Sequence, residues 1–336
     1  MNAVVCPRPG TLLIEQRPVP TPAPDEVLVR VRRVGMCGTD MHIFRGDQPY
    51  LTYPRVMGHE VSGEVVVSPA GSKLRPGDPV YVVPYLSCGK CSACRKHKPN
   101  CCQALEVLGV HRDGALVQFL CVPQRFVFSA HGVTLDEAAM VEFLAIGAHA
   151  AARGDVTADQ RVLVCGSGPI GIACALLAKL RGASVTVIDI RPDRLSLCRE
   201  QLGIEHTLQV DANIDARLRS ITDGDMFDVV FDATGSPQAV QRGFSYIAHG
   251  GTYVLVSVVN AEIAFSDPEF HKREARLLAS RNATAEDFEF VIECIRAGKI
   301  PLAHLRTHSA PLSELPAKLA DWIKPESRVF KAVVEC

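Results

Sequence analysis

Residues that can hold a catalytic metal lie between positions 35 and 60. Cys37 supplies a thiol and His59 an imidazole, and the carboxylates of Asp40 and Glu60 follow them closely. Zinc prefers thiolate and imidazole ligands, and three protein ligands with one open position form a catalytic site. Cys37 and His59 are 22 positions apart and do not complete such a site. We therefore expect the fold to bring a third ligand from elsewhere in the chain.

Four cysteines within fifteen residues form a second candidate metal site. Their spacing, C-x2-C-x2-C-x7-C, is typical of a closed structural zinc site with four thiolates and no open position. An iron–sulfur cluster also uses four cysteines and is the alternative. Cys101 is the alternative fourth ligand. The predicted ligands, in a lobe spanning about 86–104, are Cys88, Cys91, Cys94 and Cys102.

A glycine-rich turn follows the apolar run Val162–Cys165 and has the pattern G-x-G-x-x-G. In a dinucleotide-binding turn the first glycine permits the tight turn, the second lets the backbone approach a pyrophosphate, and the third allows close helix packing. The N-terminus of the following helix offers free N–H groups to the phosphates. The predicted cofactor-binding residues of this turn are Gly166, Gly168, Pro169, Ile170 and Gly171.

The next predicted strand ends in Asp189, 23 residues after Gly166. A carboxylate there accepts hydrogen bonds from the adenosine ribose hydroxyls and repels a 2′-phosphate, which favours NAD over NADP. Arg191 and Arg194 lie close enough in sequence to receive such a phosphate, so NADP is the alternative. We predict NAD as the dinucleotide and count Arg194 among the residues that bind it.

Composition narrows the classes of protein. A length of 336 residues predicts about two domains, and 47% hydrophobic residues suffice for sizeable cores. A net charge of −1 gives no electrostatic case for nucleic acid or a membrane surface. No apolar run is long enough to span a bilayer. The N-terminal residues lack the pattern of a signal peptide, so we expect a cytoplasmic protein whose thirteen cysteines serve metal binding rather than disulfides.

Hydrophobic periodicity predicts two kinds of structure. Residues 1 to about 133 are rich in short strands and turn signals, which indicates a small barrel or sandwich. Thr134 and Glu137 predict a capping box that begins an alanine-rich helix extending to Arg153. Six strands then alternate with helices, which predicts an α/β doubly wound parallel sheet. The predicted strands are 161–165, 184–189, 206–210, 227–232, 252–257 and 277–280.

Four motifs, in this order, resemble those of the zinc-dependent medium-chain alcohol and polyol dehydrogenases. They are Cys-Gly-Thr-Asp at 37–40, Gly-His-Glu at 58–60, the four-cysteine lobe and the glycine turn at 166–171. The likeness covers essentially the whole chain and is greatest to the sugar-acid and polyol branch, with its sorbitol, L-idonate and L-galactonate dehydrogenases. It implies oxidation of a secondary alcohol of a sugar acid or polyol with NAD and two zinc ions per chain.

The resemblance also implies an organisation and site roles. It implies a GroES-like catalytic domain at 1–150, a Rossmann NAD-binding domain at 151–282 and a segment at 283–336 that returns to the catalytic domain. The third ligand of the catalytic zinc is Glu142, which is followed by Phe143 where the family has proline, or alternatively Glu60. Thr39 and His42 are expected to carry the substrate proton, and Arg281 and Asn282 to bind substrate.

Other functions remain open at this stage. Cys-Gly-Thr-Asp followed by a histidine also resembles L-threonine 3-dehydrogenase, which acts on a different substrate. A different class is a non-catalytic NAD-binding redox sensor with zinc only in the cysteine lobe. The family resemblance implies a homodimer or homotetramer.

Overall fold

The computed structural model describes all residues from Met1 to Cys336. Contacts between Cα atoms divide the chain into two units, each interrupted in sequence. The first comprises residues 1–142, 292–298 and 305–336, and the second comprises 143–291 and 299–304. The boundary after Glu142 lies eight residues before the predicted one at 150. None of the helices combines the length and the apolar character that crossing a bilayer requires.

The β-strands, numbered along the chain, have the following bounds: β1 Asn2–Arg8, β2 Thr11–Gln16, β3 Glu26–Met36, β4 Arg55–Val56, β5 Glu60–Val67, β6 Pro79–Val82, β7 Tyr85–Leu86, β8 Glu106–Val107, β9 Phe119–Pro123, β10 Val127–Ser129, β11 Arg161–Cys165, β12 Ser184–Asp189, β13 His206–Gln209, β14 Phe227–Asp232, β15 Ile247–Leu255, β16 Arg276–Ala279, β17 Arg306–Pro311 and β18 Lys331–Glu335. The α-helices are α1 Gly38–Arg45, α2 Ser92–Arg95, α3 Leu135–Ala138, α4 Val141–Arg153, α5 Pro169–Leu180, α6 Pro192–Glu200, α7 Ile214–Ile221, α8 Pro237–Gly243, α9 Asp267–His271, α10 Ala285–Arg296 and α11 Leu315–Trp322.

The first unit is the β-rich part that the turn signals predict. Its largest sheet has seven strands in the order β10-β6-β5-β3-β18-β17, with β9 also paired to β3. A three-stranded sheet of β2, β1 and β4 and the small ladder of β7 and β8 complete it. Alternate valines of β3 and β6 lie in one apolar core, as the period of two requires, whereas on β1 the consecutive Val4 and Val5 are both buried in it. The strands β17 and β18 come from the C-terminal part of the chain, of which residues 292–298 and 305–336 belong to this unit.

Strand β3 is the centre of that sheet because it pairs on both sides. One edge runs antiparallel to β5, and the other pairs first with β9 and then with β18. In this register Gly35 is opposite Glu60 on one side and opposite Val333 on the other. The end of β3 is therefore where residues from three distant parts of the sequence meet.

The helix predicted from Thr134 to Arg153 is two helices. Thr134 caps α3 as expected, since its hydroxyl accepts the Glu137 N–H and its own N–H donates to the Glu137 carboxylate. The N–H of Met140 then bonds to a carbonyl three residues back, and this tight turn ends α3. A new helix, α4, begins at Val141. The break places Glu142 in a first helical turn, where free N–H groups and the helix dipole favour a carboxylate.

The second unit contains the predicted doubly wound sheet. Six parallel strands follow the order β13-β12-β11-β14-β15-β16, so the chain winds outward in both directions from β11. Leu163, Val230 and Tyr253 lie in the buried core of this unit. The GroES-like and Rossmann fold prediction is confirmed. In such a sheet ligands bind at the carboxyl ends of the central strands, where the direction of winding reverses.

Candidate active site

The register of β3 and β5 brings Cys37 and His59 together. Cys37 follows the last residue of β3, and His59 precedes the first residue of the antiparallel neighbour β5. Since Gly35 faces Glu60, continuing the ladder by one or two residues places the thiol beside the imidazole. One ligand atom from each of Cys37, His59 and Glu60 lies within 4.8 Å of the others.

Asp40 is hydrogen-bonded to both of the segments that carry Cys37 and His59. One of its carboxylate oxygens accepts the Cys37 N–H at 2.9 Å, and the other accepts the Gly58 N–H at 3.0 Å. The same carboxylate lies 4.0 Å from His59 Nδ1, which leaves the other ring nitrogen for a metal. Asp40 is completely buried, so these contacts are shielded from water. Asp40 thus holds the segments of Cys37 and Gly58 in place.

Glu60 is buried against the backbone of β3. A Cβ atom at Gly35 would overlap the Glu60 carboxylate, so only glycine fits opposite it. Glu60 Oε1 accepts a hydrogen bond from the ammonium of Lys331, which also donates to the Met36 carbonyl at 3.2 Å. Lys331 is 1% exposed and is a site residue that the sequence reasoning missed. The sequence feature that could have identified it is a single lysine at the start of the apolar strand Lys331–Glu335. A lysine buried in such a strand needs a partner of opposite charge.

Burial and neighbouring charges set the protonation of this group. Burial raises the pKa of Glu60 to about 7, although the ammonium of Lys331 lowers it. Burial lowers the pKa of Lys331, but contact with Glu60 outweighs it and the net direction is upward. For His59, burial lowers the pKa, but the negative charge of Cys37 and the nearby carboxylates raise it well above its usual value. The positive charge of Lys331 therefore stabilises the ionised form of the buried Glu60 carboxylate.

Glu142 lies beside this group, at the start of α4. Its Oε1 accepts a hydrogen bond from the hydroxyl of Tyr85, and both side chains are buried. The set of atoms mutually within 4.8 Å contains Glu60 and does not contain Glu142. Of the two carboxylates that the resemblance offers as third ligand, Glu60 is therefore the one already gathered with the thiol and the imidazole. Tyr85 was also missed from the sequence.

The donor set fits a zinc ion. Six buried side-chain nitrogen or oxygen atoms in the whole chain lack a hydrogen-bond partner, and two of them are the Oε2 atoms of Glu60 and Glu142 at this site. Unpaired buried carboxylates are costly, and the ammonium of Lys331 offsets only one of them. A divalent cation at this point compensates the second carboxylate and a Cys37 thiolate. Cys37 is the N-cap residue of α1.

The predicted proton carriers lie on α1. Thr39 is half-buried in the first turn, and His42 follows three residues later with its side chain 54% exposed. His42 Nδ1 is 2.9 Å from a carboxylate oxygen of Asp47. Residues three apart share a face of a helix, so Thr39 and His42 lie on the same side of α1.

The four lobe cysteines form one compact group. The sulfur of Cys91 lies 3.5 Å from that of Cys94 and 3.9 Å from that of Cys102. Tetrahedral ligands with Zn–S bonds of about 2.3 Å have sulfurs about 3.8 Å apart, which these distances match. A hydrogen bond from the Cys94 backbone lowers the pKa of Cys91 to about 6, whereas burial and the neighbouring thiols raise the pKa of Cys94 to about 11. Cys88 completes the group, whereas Cys101 is exposed and outside it. Sulfurs this close fit a single ion rather than an iron–sulfur cluster.

The glycine turn joins β11 to α5 as the motif predicts. Gly166 has a φ of 94°, which favours glycine, and a Cβ at Gly171 would overlap the Gly166 carbonyl. Gly168 is the N-cap of α5, and a Cβ there would meet no atom within 4 Å. Gly168 thus leaves open the space above the helix N-terminus, which Pro169 and Ile170 begin. This cradle fits a pyrophosphate.

Asp189, the last residue of β12, lies beside the glycine turn. One of its oxygens accepts both the N–H and the hydroxyl of Ser167 at 2.6 Å, and the other accepts the Arg191 N–H at 2.8 Å. The guanidinium of Arg191 is held by two hydrogen bonds to Asp193, at 3.1 and 2.6 Å. Arg194 is buried on α6. The Asp189 carboxylate thus lies at the glycine turn, and one of the two candidate phosphate-binding arginines, Arg191, is already paired with Asp193.

The predicted substrate residues belong to the second unit. Arg281 and Asn282 follow β16, and Asn282 has a φ of 54° in the turn before α10. Arg281 is exposed and Asn282 is half-buried. Their role in substrate binding stays a prediction, as do the roles of the other site residues.

Comparisons with known proteins agree with this arrangement. A family model described as the alcohol dehydrogenase GroES-like domain matches residues 23–132, and one described as zinc-binding dehydrogenase matches residues 169–297. L-galactonate-5-dehydrogenase of Escherichia coli (strain K12) is 40% identical over 316 residues, which cover 94% of this chain and 93% of the relative. L-threonine 3-dehydrogenase of Sinorhizobium medicae (strain WSM419) is 36% identical over 269 residues, which cover 78% of each chain.

A solved structure shows the same fold along the full length. It is the rspB protein of E. coli CFT073, named as a short chain alcohol dehydrogenase complexed with the cofactor NADH. The TM-score is 0.94 and the identity 28%, and the match covers 100% of this chain and 99% of that one. The chain therefore belongs to the zinc-type alcohol dehydrogenase family and is a zinc-binding dehydrogenase.

Proposed function

We propose that the protein oxidises a secondary alcohol of a sugar acid with NAD, and that L-galactonate is the first substrate to test. The observation that carries this proposal is the 40% identity to L-galactonate-5-dehydrogenase over 94% of the chain. The gathering of Cys37, His59 and Glu60 at the end of β3 supports it, because a dehydrogenase of this family needs a metal-binding group there. The same group argues against a sensor with zinc only in the cysteine lobe.

Cys37 and His59 hold the catalytic zinc, with Glu60 or Glu142 as the third ligand. When bound, zinc supplies Lewis-acid chemistry, since a divalent cation lowers the pKa of an alcohol or water oxygen beside it. When bound at the glycine turn, NAD supplies the hydride acceptor. Thr39 takes the proton of the substrate hydroxyl, and His42 passes that proton to solvent. Asp47 supports this step because its carboxylate oxygen lies 2.9 Å from His42 Nδ1 and orients the imidazole.

The cofactor site supports NAD rather than NADP. The carboxylate of Asp189 accepts hydrogen bonds from ribose hydroxyls and would face a 2′-phosphate with like charge. Arg191, which would otherwise receive such a phosphate, is engaged by Asp193. Arg281 and Asn282 are the proposed substrate residues, since a guanidinium pairs well with the carboxylate of a sugar acid. A cytoplasmic location and a homodimer or homotetramer complete the proposal.

The test is NAD reduction, followed by absorbance, on a panel of sugar acids, neutral polyols and L-threonine. We expect turnover of L-galactonate or a close sugar acid that a zinc chelator abolishes and added zinc restores. L-threonine belongs in the panel because the relative that acts on it is 36% identical. Preference for L-threonine would replace the substrate proposal, and preference for a neutral polyol would remove Arg281 from the role of carboxylate binder. No turnover of any compound by protein with two bound zinc ions would refute the proposed substrate class.

A further inference from the structure

The cysteine lobe is joined to the candidate catalytic site through one short ladder. Strand β7 comes just before the first lobe cysteine, Cys88, and strand β8 follows the last, Cys102. The two strands pair with Tyr85 opposite Val107. The segment that the four thiolates enclose is thus closed at its base by this ladder. A metal in the lobe holds the two ends of the segment together and so supports the pairing of β7 with β8.

Tyr85 projects from that ladder onto Glu142. Its hydroxyl donates to Glu142 Oε1, and Tyr85 is 5% exposed while Glu142 is 3% exposed. Glu142 Oε2 is buried and has no hydrogen-bond partner. One oxygen is therefore assigned to the tyrosine and the other stays available for a cation. Tyr85 is a neutral donor, so it orients Glu142 without cancelling the charge that a metal needs, in contrast to Lys331 on Glu60.

We propose that Tyr85 is a positioning residue for the catalytic metal and that the cysteine lobe exists in part to hold it on Glu142. Tyr85 fixes the rotamer of Glu142, so that Oε2 is presented to the ion, and the lobe metal fixes Tyr85 through the β7–β8 ladder. The two metal sites of the chain are coupled by this path. The proposal rests on the proposed function for the existence of a catalytic metal and for Glu142 as one of its ligands, not for the identity of the substrate.

The first experiment compares metal binding by the wild-type protein and the variant Tyr85→Phe. Cobalt replaces zinc, because its visible absorption reports coordination number and ligand type. Loss of a group that orients a ligand lowers metal affinity about 10- to 100-fold. We expect that loss at the catalytic site together with a changed cobalt spectrum, while the thiolate-to-cobalt bands of the lobe stay unchanged. Wild-type affinity and an unchanged spectrum in Tyr85→Phe would overturn the proposal.

A matched control is Tyr53→Phe. Tyr53 also donates its hydroxyl to a protein acceptor in the first unit, the Ile43 carbonyl at 2.5 Å, and does not contact Glu142. Tyr53→Phe is expected to bind both metals as the wild type does.

A second experiment combines Tyr85→Phe with Glu142→Gln. If the tyrosine acts through Glu142, its substitution has no further effect on metal affinity in the Glu142→Gln protein, and an equal effect in both backgrounds contradicts the proposal.

The coupling to the lobe is tested with Cys94→Ser, which removes one lobe ligand. We expect weaker binding of the catalytic metal in this variant and no such weakening when Phe replaces Tyr85 as well. An equal loss in both backgrounds would refute the path through Tyr85.

If Tyr85→Phe does not fold, the ultraviolet difference spectrum of the wild-type protein with and without the catalytic metal tests the proposal instead. Loading the catalytic site must perturb a buried tyrosine, and a spectrum without a tyrosine signal overturns the proposal. Normal metal binding without turnover of the substrate panel would refute the proposed function alone.

Discussion

The ammonium of Lys331 donates a hydrogen bond to Glu60 across 271 positions of sequence. Both side chains are buried, and Lys331 also donates to the carbonyl of Met36, the last residue of β3. The C-terminal strand β18 thus brings a positive charge to the edge of the candidate metal site. The fold thus places one buried cationic side chain beside the carboxylates of Glu60 and Glu142, and a divalent metal ion would add a second positive charge there.

Replacing Lys331 with methionine keeps most of the side-chain volume and removes the charge. Removal of one partner from a buried ion pair costs about 3–5 kcal/mol, so we expect this loss in the free energy of unfolding of the metal-free protein. The loss is expected to be smaller with zinc bound, because the ion then compensates Glu60. Urea unfolding with chelator and with zinc measures both values. Lys318→Met, on the exposed face of α11, is the control, and an equal loss in both conditions would contradict this account.

Cys37→Ser tests the metal role of the thiol. We expect one bound zinc per chain instead of two, and a fall in turnover of about a thousandfold or more, since Lewis-acid catalysis supplies several kcal/mol. NAD binding is expected to persist because the glycine turn is unchanged. Metal analysis and titration with NADH by fluorescence measure these properties. Cys121→Ser, a half-buried cysteine outside both metal groups, is expected to match the wild type. Two zinc ions and full turnover in Cys37→Ser would refute the role.

Asp189→Ala tests the choice of dinucleotide. Hydrogen bonds to a charged group contribute about 1.5–3 kcal/mol, so we expect kcat/KM for NAD to fall about 10- to 100-fold. The value of kcat/KM for NADP is expected to change less, so the ratio of kcat/KM for NAD to that for NADP falls. In a companion variant, Asp193→Asn, the guanidinium of Arg191 loses its carboxylate partner, and NADP use is expected to rise while NAD use stays the same. An unchanged ratio in both variants would show that other residues set the preference.

Cys94→Ser tests the lobe as a closed structural site. A structural zinc contributes its binding free energy to folding, so we expect the loss of one zinc and a lower midpoint of thermal unfolding. Cys101→Ser is a close control, because Cys101 is exposed and lies beside the ligand Cys102. It is expected to retain two zinc ions and the wild-type midpoint. If Cys101→Ser also loses one zinc and unfolds at a lower temperature, Cys101 and not the predicted Cys102 is the fourth ligand of the lobe.

The fold was largely predictable because its signals are local. The bounds of β11, β12 and β14 match the predicted strands residue for residue, since apolar runs flanked by glycine and helix signals define them. The helix to Arg153 was predicted as continuous because alanine-rich sequence favours helix throughout. Its break after Ala138 depends on a backbone turn that no side-chain pattern marks.

The sequence by itself determined the groups whose members are close along the chain. The lobe thiolates lie within fifteen residues and the glycine turn within six, so spacing alone restricts their geometry. Only the tertiary structure decided which carboxylate joins Cys37 and His59 and which residues hold it. Glu60, Glu142, Tyr85 and Lys331 come from four separate segments, which β-strand pairing and side-chain hydrogen bonds bring together. A buried charge is stabilised by whatever the fold places beside it, and that partner can be read only in three dimensions.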